Sequence, residues 1–168
     1  MIESNQDLAA RFRKTTDELV QLIEKFNHES FNRKPSIDKW SAGEIAEHLL
    51  IFDLRLNHIL ETATYPTDRE ITEKQPVFNA RVSDRKNKTD APPFLIPSEG
   101  IKSASDLVEK IRAERISICN LIEKIDLSLH SKEFPHRLFG ELTAFEWINL
   151  VDVHTRRHMA QLLELLEP

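Results

Sequence analysis

The chain has 168 residues, 23 Lys plus Arg, 28 Asp plus Glu and a formal net charge of −5, a length that suits one domain over residues 1–168 and is short for two. Three glycines are few for a fold of many strands and tight turns, and no tail or stretch concentrates Lys and Arg as phosphate-backbone binding requires, so an all-α protein with no nucleic-acid partner is expected. The opening MIESNQDLAARF lacks the basic-then-apolar pattern of a secretion signal, and no apolar run reaches the roughly eighteen residues of a bilayer span, so the expectation is a soluble, cytoplasmic protein with no membrane partner.

The first helix is predicted over residues 5–27, where Leu8, Phe12, Leu19, Leu22, Ile23 and Phe26 recur at three- and four-residue steps. The second begins at Ser41 and runs to about 62. Ser41 followed three residues later by Glu44 has the form of a capping box, which satisfies the free amides of a helix start. Residues 63–102 then hold Pro66, Pro76, Pro92, Pro93 and Pro97 among many charges, which excludes continuous helix across most of the stretch. A connection this long needs a reason, either an active-site cover or a crossover along the outside of a bundle. The reading favours the crossover, with a short extended piece at PVFNARV.

The third helix follows SASD, with Ser103 or Ser105 as its cap and Asp106 in the first turn. It continues through Leu107, Ile111, Ile118, Leu121 and Ile125 to about 126. Cys119, the one cysteine, reads as small core filler rather than a catalytic thiol, because no histidine or basic helix start adjoins it in sequence. After the loop SLHSKEFPHRLFGEL, Thr143 and Glu146 repeat the capping-box spacing and open a fourth helix over residues 144–166. Four helices of about twenty residues are each roughly 30 Å long, which matches a four-helix bundle. The short links make helices one and two, and three and four, antiparallel neighbours, while the long link lets helix three run parallel to helix two.

On the fourth helix, about 100° per residue places Trp147, Val151, His154, His158 and Leu165 in one narrow sector, flanked by Leu150 and Leu162. Both histidines therefore face the core, and Asn149, Asp152, Arg156 and Glu164 mark the opposite, solvated side. On the second helix His48 falls at the edge of the stripe of Ile45, Leu49, Phe52, Leu56 and Ile59. An i, i+4 pair supplies two nitrogens from successive turns and a neighbouring helix a third, a set that holds one cation and leaves positions open for water or substrate. The spacing alone is weak among seven histidines. Burying two imidazoles with neither a partner nor a metal costs about 1–3 kcal/mol each, so metal binding and hydrogen-bonded burial both stand open on the pattern. His28, His58 and His130 read as surface residues, and His136 as a loop histidine. Glu44, one turn before His48, closes its capping box in preference to orienting a ligand. Trp40 and Trp147 read as packing or pocket wall.

The segment KPSIDKWSAGEIAEHLLIFD resembles the second-helix segment of the DinB/YfiT-like superfamily, where Pro, Trp-Ser, an acidic residue and His-Leu lead into the helix. HRLFGELTAFEWINLVDVHTRRHMAQL resembles the final segment of the same family, with Phe-Gly, Leu-Thr, Trp and then H-x-x-x-H followed by Gln. The two together, in this order and separation, imply a four-helix bundle of up-down-down-up topology with a long crossover between helices two and three. They also imply a divalent metal ion, zinc or nickel, held by His48, His154 and His158. The resemblance further implies a metal-dependent enzyme, either a hydrolase activating water or a transferase acting with a low-molecular-weight thiol on a small-molecule substrate. The catalytic residues beyond the ligands stay unassigned, and no cofactor-binding motif is present. A different class of reading is a non-catalytic bundle that binds a ligand or partner and keeps the histidines as a structural or vestigial site; a homodimeric interaction module ranks below it.

Overall fold

Side-chain oxygens cap every described α-helix start but that of Gln75–Ser83. In a computed structural model that describes residues 3–86 and 90–167, α1 spans Asn5–Ile23, α2 His28–Asn32, α3 Ala42–Thr62, α4 Gln75–Ser83, α5 Ala104–Ile122 and α6 Ala144–Leu166. Ser41 and Thr143 accept from the backbone N–H three residues on, while Glu44 and Glu146 reach back to the cap amides, so α3 and α6 begin at the two predicted capping boxes. Ser103 rather than Ser105 caps α5. Among the described residues the chain is all-α apart from a two-residue pairing of β1, Tyr65–Pro66, with β2, Leu129–His130, and two isolated bridges, His130 with Thr143 and His136 with Gly140. Among the described residues no helix is long and apolar enough to cross a membrane.

Three expected boundaries differ. α1 stops at Ile23 instead of reaching 27, because Asn27 is itself an N-cap: it exchanges hydrogen bonds with Ser30 and starts α2. That turn buries Phe26 and Phe31 together. α5 stops at Ile122, short of 126, where the Asn5 amide donates to the carbonyls of Ile122 and Ile125. The stretch PVFNARV is not extended but forms most of α4. Pro76 lies in the first turn, where a helix needs no N–H, and Phe78 is fully buried.

α1 packs on α5 and α6, and α3 packs on the same two helices, while α4 lies against α6. The link after α3 therefore runs along α6 through α4. Glu146 pins it there: its carboxylate receives Arg69 at 2.7 and 2.9 Å and the Lys74 backbone N–H at 2.7 Å. Farther along, Lys102 and Ser98 both bind Glu47 of α3. The close approach also explains Gly43. A Cβ there would meet the Lys102 side chain at 2.9 Å.

Two apolar clusters fill the interior. One collects Leu8, Phe12, Phe52, Leu56, Ile118 and Val151, the other Leu19, Ile23, Ile45, Leu49, Ile111 and Leu162. Near the boundary between the clusters each of α1, α3, α5 and α6 carries buried polar residues, namely Thr15 and Thr16, His48 and Asp53, Arg115, and then Asp152, Thr155 and His158. Arg115 donates to both Asp53 oxygens at 2.7 and 3.1 Å and to the Thr155 hydroxyl at 2.8 Å. Burial raises the Asp53 pKa above its ordinary value, and Arg115 opposes that shift.

Asn149 and Asp152 correct the expected solvated face of α6, since both are buried. Arg11 on α1 donates to Asp152 at 2.7 Å and to Asn149 at 2.8 Å, and Thr15 donates to Asp152 at 2.6 Å. Arg156 and Glu164 do remain exposed.

Removing one partner of a buried pair leaves the other charge unsatisfied and typically costs about 3–5 kcal/mol, whereas an apolar pair of similar volume is far better tolerated. Urea unfolding of Arg115→Ala should therefore show a loss of that size. The double change Asp53→Leu, Arg115→Met should lose much less.

Candidate metal centre

α6 presents His154 and His158 one helical turn apart, and α3 brings His48 to meet them. His154 Nε2 lies 3.3 Å from His48 Nε2 and 3.1 Å from His158 Nε2. The three predicted residues are thus together, and they form a group able to offer one ligand atom each. His48 and His158 are buried, whereas His154 keeps part of its surface exposed although its Nδ1 is enclosed.

Tautomers follow from what the outer nitrogens touch. His48 Nδ1 is 2.7 Å from the Leu95 carbonyl oxygen, which only accepts, so Nδ1 carries the proton and Nε2 turns a lone pair inward. His158 Nδ1 is 2.6 Å from Gln161 Oε1, with the same consequence. His154 Nδ1 has no partner. A proton on His154 Nε2 can be donated across one of the two short contacts, which leaves the other lone pair still facing a neighbour. A cation between the rings satisfies all three. Zinc–nitrogen bonds of about 2.0–2.1 Å at tetrahedral angles put ligand nitrogens roughly 3.3 Å apart, close to the two separations found.

The trio is also held neutral. Burial first, then its histidine neighbours, depress His154 well below the ordinary imidazole pKa. Burial and His48 bring His158 to about 3 against the opposing Gln161 bond, and burial lowers His48. Neutral imidazole is the form that ligates a metal.

The walls are aromatic. Trp40 lies 4.8 Å from the His48 ring, and Phe52 packs edge-on to His154 at 4.9 Å. Trp147 is buried behind Phe52. Glu44 closes its capping box, as expected, and also pairs with Lys34 at 2.8 Å; it makes no bond to a histidine. His28 and His58 are exposed, but His130 is not a surface residue: β pairing leaves its side chain only 12% exposed. His136 is half-buried, its ring 5.5 Å from Trp147, and burial followed by Arg137 and Arg55 lowers its pKa to about 4.

Two groups that orient the histidines were given no such role by sequence reasoning. Gln161 had a signal, three residues after His158 on the same helix face. The Leu95 carbonyl had none, because a backbone acceptor carries no residue-type signature.

A family model described as the DinB superfamily matches residues 11–162. A curated relative, "Uncharacterized protein YuaE" of Bacillus subtilis (strain 168), is 28% identical over 145 residues, spanning 86% of this chain and 88% of its own length. No solved structure matches the chain.

A histidine held below its unfolded value near 6.5 takes up its proton only on unfolding, so its stability contribution is complete above that pH. It is lost as pH falls toward the folded value, at up to about 1.4 kcal/mol per pH unit. For His158 that window runs from about 6.5 down to about 3. Metal-free protein should show a measurably shallower loss of urea stability between pH 6.5 and 4 in His158→Asn than in the parent.

Proposed function

Because the chain belongs to the DinB superfamily and brings three neutral imidazoles to one point, we propose that it is a metal-dependent enzyme whose ion, zinc or nickel, is held by His48, His154 and His158. The observation that carries this reading is the pair of Nε2 contacts at 3.1 and 3.3 Å, where at least two lone pairs converge with their outer nitrogens already committed as donors. A divalent ion bound by three neutral ligands keeps its full charge for the remaining positions, where it lowers the pKa of a bound water or small thiol.

The chain's own groups do the rest. The Leu95 carbonyl and Gln161 orient His48 and His158 and raise their basicity. Trp40 and Phe52 restrict water around the trio and strengthen electrostatics there. Attack by water makes the activity a hydrolysis, and attack by a low-molecular-weight thiol makes it a transfer to an electrophilic small molecule. In this reading one domain supports the site, built as a four-helix bundle of α1, α3, α5 and α6 in up-down-down-up order. The order in which each helix passes between the two apolar clusters supports that topology.

The second reading, a binding bundle without catalysis, is favoured by the hydrogen bonds that give His48 and His158 protein partners of their own. Elemental analysis separates the two. Protein prepared without a histidine tag should carry close to one zinc or nickel per chain, should lose it in His48→Ala, His154→Ala and His158→Ala, and should melt at a clearly lower temperature after chelation. No uptake even after reconstitution with either ion, and a melting temperature indifferent to chelator, would leave the binding bundle.

A further inference from the structure

Arg55 is seven residues after His48, so it lies on the same face of α3 and about 10 Å further along the helix axis. It is half-buried. Its guanidinium carbon sits 4.4 Å from the centre of the Phe94 ring and 4.9 Å from that of Phe134. The rings hold the cation by their π-faces and accept none of its five N–H donors in a conventional hydrogen bond. Among the described residues no carboxylate pairs with it, in contrast to the buried Arg115 and to Arg11, Arg69 and Arg156. Burial lowers its pKa, with no acidic group pulling the other way.

Position gives the unpaired cation a use. Phe94, which stacks on Arg55, directly precedes Leu95, whose carbonyl orients His48. Both residues belong to the single 3-10 turn Pro93–Leu95, so one short element sets Arg55 and one of the three histidines relative to each other. From this geometry we infer that Arg55 is a specificity-determining residue that binds the carboxylate of the small-molecule substrate or thiol whose other end reaches the three histidines. A guanidinium presents parallel donors that match a planar carboxylate, and one fixed positive charge balances its single negative charge. The inference rests on the three histidines being the reacting centre proposed above, and it requires a ligand on the order of 10 Å long.

The test uses 6-mercaptohexanoate and its uncharged counterpart 6-mercaptohexanol, titrated calorimetrically into the zinc-loaded full-length protein. The acid should bind about tenfold or more tightly than the alcohol, as a charge-assisted contact implies. Arg55→Gln should remove that preference and Arg55→Lys should keep part of it, with metal content and circular dichroism unchanged in both. Equal binding of acid and alcohol by the parent, or a preference that survives Arg55→Gln, overturns the inference. Should the protein take up no metal, the reading of the histidines fails by itself, and hexanoate against hexanol decides the carboxylate site. A preference for hexanoate abolished by Arg55→Gln sustains it, and no preference overturns it.

Discussion

The ion pair between Asp53 and Arg115 is the constraint on which the arrangement turns. Two charges withdrawn from water are tolerable only while their geometry is kept, and here the guanidinium turns its Nε–Nη2 edge to the carboxylate while Nη2 also donates to the Thr155 hydroxyl. That ties three helices at one height. Sliding α3, α5 or α6 by a turn would separate the partners by about 5 Å and leave a bare charge in the core. Asp53 follows Phe52, which packs on His154, and Thr155 follows His154, so the register held by the pair is also the register at which the histidines meet.

A polar layer between two apolar clusters gives up hydrophobic stabilisation, and it returns definition. Apolar side chains alone tolerate several offsets between neighbouring helices, because any well-filled arrangement is nearly as good. Hydrogen bonds spanning the layer are far less tolerant. Arg11 reaching Asp152 and Asn149 adds the same kind of restraint between α1 and α6. The imidazoles are then set in a particular way: buried enough to stay neutral, and turned by outside acceptors so that basic nitrogens face inward.

Much of this was legible in the sequence because it depends on neighbours close along the chain. Ser41 with Glu44 and Thr143 with Glu146 mark their helix starts within four residues, and the convergence of His154 and His158 on one face follows from helical period alone. The same period put His48 at the edge of its own helix's stripe, and the resemblance to a known family set the three together as one ligand group. What stayed hidden depends on distant partners. Asp152 looks like a surface acid until Arg11, on the far side of the chain, arrives to bury it. The same holds for Arg115, which sits among ordinary helix residues and finds Asp53 only in three dimensions. α4 was missed for a different reason, since a seven-residue segment beginning with proline satisfies a strand pattern and a first helical turn equally well.

The Leu95 contact has a consequence for how such a site changes over time. An acceptor supplied by the main chain is indifferent to which side chain occupies its position, so nearly any replacement at 95 would still offer His48 the same oxygen. Loss would come instead from altering the path of the chain, through the prolines that shape the turn or through the length of the segment before it. Insertions and deletions, more than point changes, are therefore the events to which this histidine's orientation is exposed. A change of the neighbouring side chain at 94 would instead alter what holds Arg55 and leave the His48 contact in place.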